Sequence, residues 1–444
     1  VRVIKVLKSR RYAVTFIILI TLSLVLATLV PQRARMSEAE WFRFRARFPE
    51  VAEFIHLTGL DHIYTTWWFL IIVGLFSLNI GLNLSERVGV ALKQQRNNRP
   101  LGPEQIKRLS LHNILAVSED MEQTVQRAVK VLRRFHYRVK LSPGGIYAYK
   151  GKIGYWWVPL FHGGLLTVIA GVLISGLFRF SGTFEISEGQ IFYGREDEFI
   201  SKAYGASGYR PEFDFSLRLK KFRVQYWDDK HPRLYQSIME VLPREGEAFT
   251  KEVEMNKPLR YKGFSFYQTK YYGYSAYFSL VDKRGMERTT GYVNFPYRER
   301  YNKEVLKQDF VVPGTKVQAI LELMPYNPAS VKIDIREGLR KIWSGTLNEG
   351  DGVEIGDFWL RFNRVLYWTG IYVSKDPGVG VVYSGFVLIV LSTMGMVFVI
   401  PRIVWIAFGN GKLYIGAHAY RNKEFIEEEF RRIIDELKGA FYGY

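Results

Sequence analysis

YWWVPLFHGGLLTVIAGVLISGLF, residues 155–178, is the stretch whose reading decides how the chain is built. A bilayer is crossed by about 20 mostly apolar residues. This run is long enough and contains no Asp, Glu, Lys or Arg. Trp156 and Trp157 mark one end as a membrane–water interface and Arg179 marks the other. Its single ionisable side chain is His162. An ionisable group inside a span is costly and points to a functional role. Gly163 and Gly164 remove bulk beside the imidazole, and Gly171 lies further along. Small residues let another helix, or a flat ligand, come close to the backbone. Two readings of His162 therefore stand side by side: a hydrogen bond to a neighbouring helix, or ligand binding.

Working outward, residues 12–30, 65–84 and 379–400 also qualify as spans. The stretch 12–30 is uninterrupted and has no small-residue cleavage site after it, so a retained helix is expected rather than a signal peptide. The net charge of +19 is first a matter of topology. The N-terminus VRVIKVLKSRR, residues 1–11, has five basic residues and no acid, and residues 85–154 also have a large basic excess. The loop 31–64 is balanced, with Arg33, Arg35, Arg43, Arg45 and Arg47 against Glu38, Glu40, Glu50, Glu53 and Asp61. The positive-inside rule then puts 1–11 and 85–154 in the cytoplasm. Four spans return the tail 401–444 to that side and leave residues 179–378 outside. No stretch interleaves basic and aromatic residues in the manner of a nucleic-acid binder, so no nucleic-acid partner is expected.

The chain has no cysteine. It forms no disulfides, holds no thiolate metal site and lacks the C-x-x-C-H sequence of a c-type cytochrome. In the loop after the first span, Trp41, Phe44, Phe48, Val51, Phe54 and Ile55 recur at helical steps, which predicts an interfacial helix. Pro31 gives the first span a sharp exit. Asn79 and Asn83 share one face of the second span and suit hydrogen bonding between helices.

Within 85–154, residues 109–117 read as a strand, Ser118 caps a helix with Val125, Ala128, Val129 and Leu132 as its apolar stripe, and Pro143-Gly144-Gly145 marks a hairpin. The tail offers a strand at 412–418 and an amphipathic helix at 422–437. These pieces either complete one small α/β cytoplasmic domain or lie separately on the membrane. Residues 179–378 show short alternating runs at 213–219, 234–241, 249–255, 264–268, 277–281, 317–323, 331–335 and 358–366, punctuated by Gly, Pro and Asn. They predict a sandwich of antiparallel sheets whose Tyr and Phe residues are core.

No hydrolase triad, phosphate loop or H-E-x-x-H pair is present, and none of the seven histidines are spaced as helical metal ligands. Asp228-Asp229 before His231-Pro232 reads as a turn. What remains is one membrane histidine beside glycines, which suits an apolar cofactor with an open coordination position. Haem iron accepts imidazole as an axial ligand.

Several segments, in order, resemble the ResB/CcsB family of system II cytochrome c biogenesis proteins. They are LATLVPQ (26–32), YTTWWFLIIVGLFSLNIGLNL (64–84), FHGG (161–164), MNKPLRYKGFSFYQTKY (255–271) and SKDPG (374–378). The resemblance implies a polytopic ResC/CcsA partner, haem b moved to the outer face, and its attachment there to apocytochrome c. It implies that His162 is a haem axial ligand paired with one from the partner, with Gly163 and Gly164 beside it. The family's tryptophan-rich WWD segment belongs to the partner; Val158 follows Trp157 here, so that role is not carried over. Many relatives have a Cys near the inner end of the second span. This chain does not, so thiol chemistry falls to separate thiol-disulfide oxidoreductases.

The expected fold is thus four transmembrane helices, a large all-β, sandwich-like extracytoplasmic domain and a small α/β cytoplasmic domain. The expected setting is a bacterial inner membrane in preference to a thylakoid. The expected role is a haem-handling subunit of a cytochrome c haem lyase, with the outer-face chemistry on the partner. The alternative is a scaffold or receptor without haem, displaying a β domain to an envelope protein. A transporter subunit is a third reading, disfavoured by the near absence of charge in the spans.

Overall fold

The computed structural model describes residues 7–32, 38–117, 121–227, 232–296, 305–324, 328–420 and 423–442. Arg2 and Lys5, Arg33 and Arg35, the cap at Ser118 and the turn at Asp228-Asp229 lie outside these residues. The chain divides into two compact units, Val1–Leu173 with Gly378–Tyr444, and Ile174–Pro377.

Among the described residues, four helices are long and apolar enough to cross a membrane. They are the first span Arg10–Leu29, the second Trp67–Arg96, the third Trp157–Phe178 and the fourth Gly378–Phe398. The second outruns the apolar stretch 65–84. Apolar character ends near Leu84, but SERVGVALKQQR contains no Pro and many helix formers, so the helix continues to Arg96. Lys93 and Arg96 in its last turn suit the negative end of the helix dipole.

The single helix expected between the first two spans is two helices, Glu38–Arg47 and Pro49–Thr58. Proline cannot sit inside a helix but is favoured at its first turn, so Pro49 ends one helix and starts the next. Phe48 turns the chain between them at φ −136°, ψ 66°. Gly59, at φ 72°, closes the second, a left-handed position that glycine adopts without strain.

One five-stranded antiparallel sheet draws on both the middle segment and the tail. Its order is Leu111–Ala116, Lys412–Ala419, Arg402–Gly409, Gly145–Lys150, Arg138–Ser142. The helices Met121–Arg134 and Lys423–Tyr442 bury Ala128, Leu132, Ile433 and Leu437 against Ile146, Val404, Ile406 and Ile415. On a second core, Ile106 packs with Tyr147, Trp405 and Tyr414, and the Trp405 indole donates to the Arg99 carbonyl. The strand Arg402–Gly409 went unseen in the sequence because it is buried on both faces. RIVWIAFG therefore carries no alternation and follows directly on an apolar span.

Glu429 anchors the tail helix to this sheet. Its carboxylate accepts from Lys150 at 3.1 Å, from Arg402 and from the Tyr137 hydroxyl at 3.3 Å. Burial, and then the nearby Glu429 charge, push the Tyr137 pKa well above that of a free tyrosine. Removing one partner of such a cluster leaves the other charges uncompensated. Glu429→Ala is expected to loosen the helix Lys423–Tyr442 by about 3 kcal/mol, read as faster proteolysis within that helix in the solubilised protein. Wild-type protease resistance would show that apolar packing alone holds it.

The other unit is β-rich, and its strand pairings are antiparallel. Its axis is a ribbon of two long strands, Phe264–Asp282 and Phe358–Lys375. The sequence suggested two short strands at 264–268 and 277–281. They are one 19-residue strand. At a register irregularity between Gln268 and Tyr272, Lys270 and Tyr271 are exposed, so the alternation is interrupted midway although the strand is not.

Two hydrophobic cores sit along the ribbon. One joins Phe264, Phe266, Ile371 and Val373 to Leu217, Leu219 and Met239 of the sheet that contains Phe215–Tyr226 and Pro232–Pro243. The other joins Phe278, Leu280 and Phe362 to Leu321, Ile333 and Ile335 of a second four-stranded sheet spanning Leu306–Val311 to Arg340–Asn348. At the irregularity the interior is polar: buried Gln268 accepts from Ser237 and donates to Thr369 at 2.7 Å.

Candidate functional site at His162

The third span presents two different faces. Gly164 and Gly171, seven residues apart, are buried. A Cβ on Gly164 would lie 3.0 Å from the Gly385 carbonyl and 3.1 Å from the Ile389 nitrogen. One on Gly171 would lie 2.7 Å from the Val382 nitrogen. The fourth span answers with buried Gly378, Gly385 and Ser392, also at steps of seven. Near the other end of this contact, the Trp157 indole occupies the space a Cβ on Gly395 would take. Main chain thus meets main chain along this seam, which only small residues permit.

His162 stands two residues before Gly164, about 200° around the helix at 100° per residue, so it lies away from the fourth span. Its Nδ1 is 2.8 Å from the Val158 carbonyl. A carbonyl only accepts, so Nδ1 carries a proton, and in the neutral ring Nε2 keeps its lone pair. That is the tautomer a metal-binding imidazole needs, held by the kind of hydrogen bond that usually orients metal-ligating histidines. The ring also meets Phe161 edge to face. Gly163 has nothing within 4 Å of where its Cβ would be. The sequence set Gly163 and Gly164 in one role beside the imidazole. The structure separates them: Gly163 borders open space, whereas Gly164 is used up in the seam with the fourth span, because neighbours on a helix point about 100° apart. The donor set fits an iron-bound imidazole, with Nε2 left free of the hydrogen bond that holds Nδ1.

Two other histidines share a buried acid. His56 and His62 both donate through Nδ1 to Asp61, at 3.0 and 2.5 Å, and that carboxylate is fully buried. Burial opposes its charge, but the hydrogen bonds and charges of the two imidazoles outweigh it and hold the Asp61 pKa below the usual value. The Gln32 amide donates to Leu60 and the Trp68 indole to Thr58, which closes this cap around the start of the second span. The sequence did not single out this shared acid. The signal was the H-x4-D-H spacing across a Gly turn. Asn79 donates to the Leu7 carbonyl, and Asn83 donates to the Asn79 carbonyl at 2.9 Å. Trp156 is bonded to Gln95 of the second span. Among the described residues, no group of three or more His, Cys, Asp or Glu is arranged to hold a metal ion.

A family model described as the ResB-like family matches residues 10–353 and 349–431. The chain is 26% identical over 391 residues to a cytochrome c biogenesis protein Ccs1 of Porphyra purpurea, covering 85% of this chain and 82% of that one. It is 25% identical over 456 residues to a cytochrome c biogenesis protein CcsB of Trichormus variabilis, covering 97% and 92%. A CcsB of Picosynechococcus sp. is 24% identical over 447 residues, covering 98% and 91%.

Proposed function

The chain belongs to the ResB-like family, and from that premise we propose that it acts in system II cytochrome c biogenesis as the membrane subunit that holds haem b on its way to the outer face. Haem is the cargo, His162 supplies one axial nitrogen, and a ResC/CcsA-type partner supplies the other together with the attachment chemistry on apocytochrome c. Thiol-disulfide oxidoreductases keep the apocytochrome thiols available. The observation that carries this reading is the Nδ1–Val158 hydrogen bond, which leaves Nε2 as a lone-pair donor on a face the fourth span does not use. A visible spectrum of the chain purified with and without its partner tests it. A Soret band is expected. Its absence from both preparations would favour the scaffold without haem.

The proposal includes sidedness. The basic ends at 1–11 and 85–154 are cytoplasmic, and the β-rich region 179–378 is the sandwich-like outer domain of a protein in a bacterial cytoplasmic membrane. Since the chain has no cysteine, single cysteines report position cleanly. An impermeant thiol reagent on intact cells should label a cysteine at Lys283 and spare one at Lys93. The reverse pattern would overturn the topology.

A further inference from the structure

At the base of the third span a small cavity of about 20 Å³ is lined by Arg87, Tyr155, Val158, Pro159, Met396 and Tyr420, among others. It has room for about one water and is otherwise mostly apolar. Arg87 follows the apolar part of the second span and is half-buried. The adjacent acid, Glu86, is paired with Lys8 instead. Among the described residues Arg87 has no ion pair or hydrogen bond. An unpaired guanidinium at the edge of a bilayer is either drawn out to lipid phosphates or kept for an anion. Here it borders Val158, the residue whose carbonyl orients His162. Val158 is four residues, about 6 Å, nearer the basic end of the span than His162.

Haem is planar and apolar over most of its face, with two carboxylates on one edge. A ligand joined to His162 through its iron must keep those carboxylates in water or pair them. We propose that Arg87 is the cation that pairs a haem propionate, so that His162 and Arg87 together fix which edge of the macrocycle points to the cytoplasmic side. This rests on the haem-holding role of His162. A guanidinium binds a carboxylate through two parallel hydrogen bonds, which sets orientation as well as affinity.

The test is a titration of the full-length chain in nanodiscs with haem and with haem dimethyl ester, whose carboxylates are masked, read by the Soret band. Arg87→Gln should bind haem roughly tenfold more weakly, the size of one charge-assisted hydrogen bond, and bind the ester as the wild type does. Arg87→Lys should fall between. The wild type itself should prefer haem to the ester by a similar factor, which tests the idea even if Arg87→Gln folds poorly. Equal weakening for haem and ester would mean Arg87 serves the fold. A defect present only in discs of anionic lipid would assign it to lipid phosphate. Either result overturns the proposal. Wild-type haem affinity in Arg87→Gln, with the band abolished in His162→Ala, would overturn the propionate contact alone. A band that survives His162→Ala would remove the reading beneath it.

Discussion

His162→Ala is expected to remove most of the bound haem and to abolish cytochrome c maturation while the protein still inserts and still assembles with its partner. The argument is local. On the topology proposed above, the third span enters from the cytoplasmic side at Tyr155 and His162 lies seven residues along, about 10 Å into the bilayer, where haem made inside would enter first. Imidazole ligates iron through a ring nitrogen that keeps its lone pair, and the Val158 carbonyl occupies only Nδ1. Alanine removes the ligand but leaves the seam with the fourth span intact, since His162 is on another face. His162→Gly should regain part of its haem and its maturation activity when free imidazole is added, because the vacated position can take a soluble ligand. If His162 were only a helix-packing residue, its loss would lower yield or assembly with no specific haem defect and no rescue by imidazole. Full maturation and unchanged haem content in a stably made His162→Ala protein would exclude the ligand role.

How much of this was legible in the sequence depends on what each residue answers to. Spans are written in composition, and the run 155–178 could be read without any neighbour. The strand Arg402–Gly409 could not, because being buried on both faces erases the alternation that marks a half-exposed strand. The long strand Phe264–Asp282 was read in two pieces for the opposite reason: its alternation exists but is interrupted at the exposed Lys270 and Tyr271. Helix ends were misjudged where hydrophobicity stops before helicity does, as at Leu84. At the site, His162 stood out because a polar residue in a span is rare. The separate fates of Gly163 and Gly164 were invisible, since adjacent glycines look alike until a second helix is present to use one of them. Arg87 was hidden within a basic segment that the positive-inside rule already explained.

That separation of the glycines yields the second large effect. Gly164→Leu is expected to disrupt the packing of the third and fourth spans, at a cost of about 3 kcal/mol from overpacking, seen as loss of monodisperse protein on solubilisation. The contacts leave little choice: a side chain at Gly164 meets the Gly385 carbonyl and the Ile389 main chain, which cannot swing aside as the end of a long side chain could. Gly385→Leu should fail in the same way, because its Cβ would sit 2.8 Å from the Val168 nitrogen. Gly163→Ala meets nothing within 4 Å and gains about 1 kcal/mol of helix propensity over glycine, so its protein should be at least as stable as the wild type. Its effect, if the open side beside His162 receives the macrocycle, should fall on haem content alone. The pair therefore distinguishes scaffold from site one residue apart. A Gly164→Leu protein as stable as the wild type would show that the two spans do not share this seam in the membrane. A Gly163→Leu protein with full haem content would show that the macrocycle approaches His162 from another side.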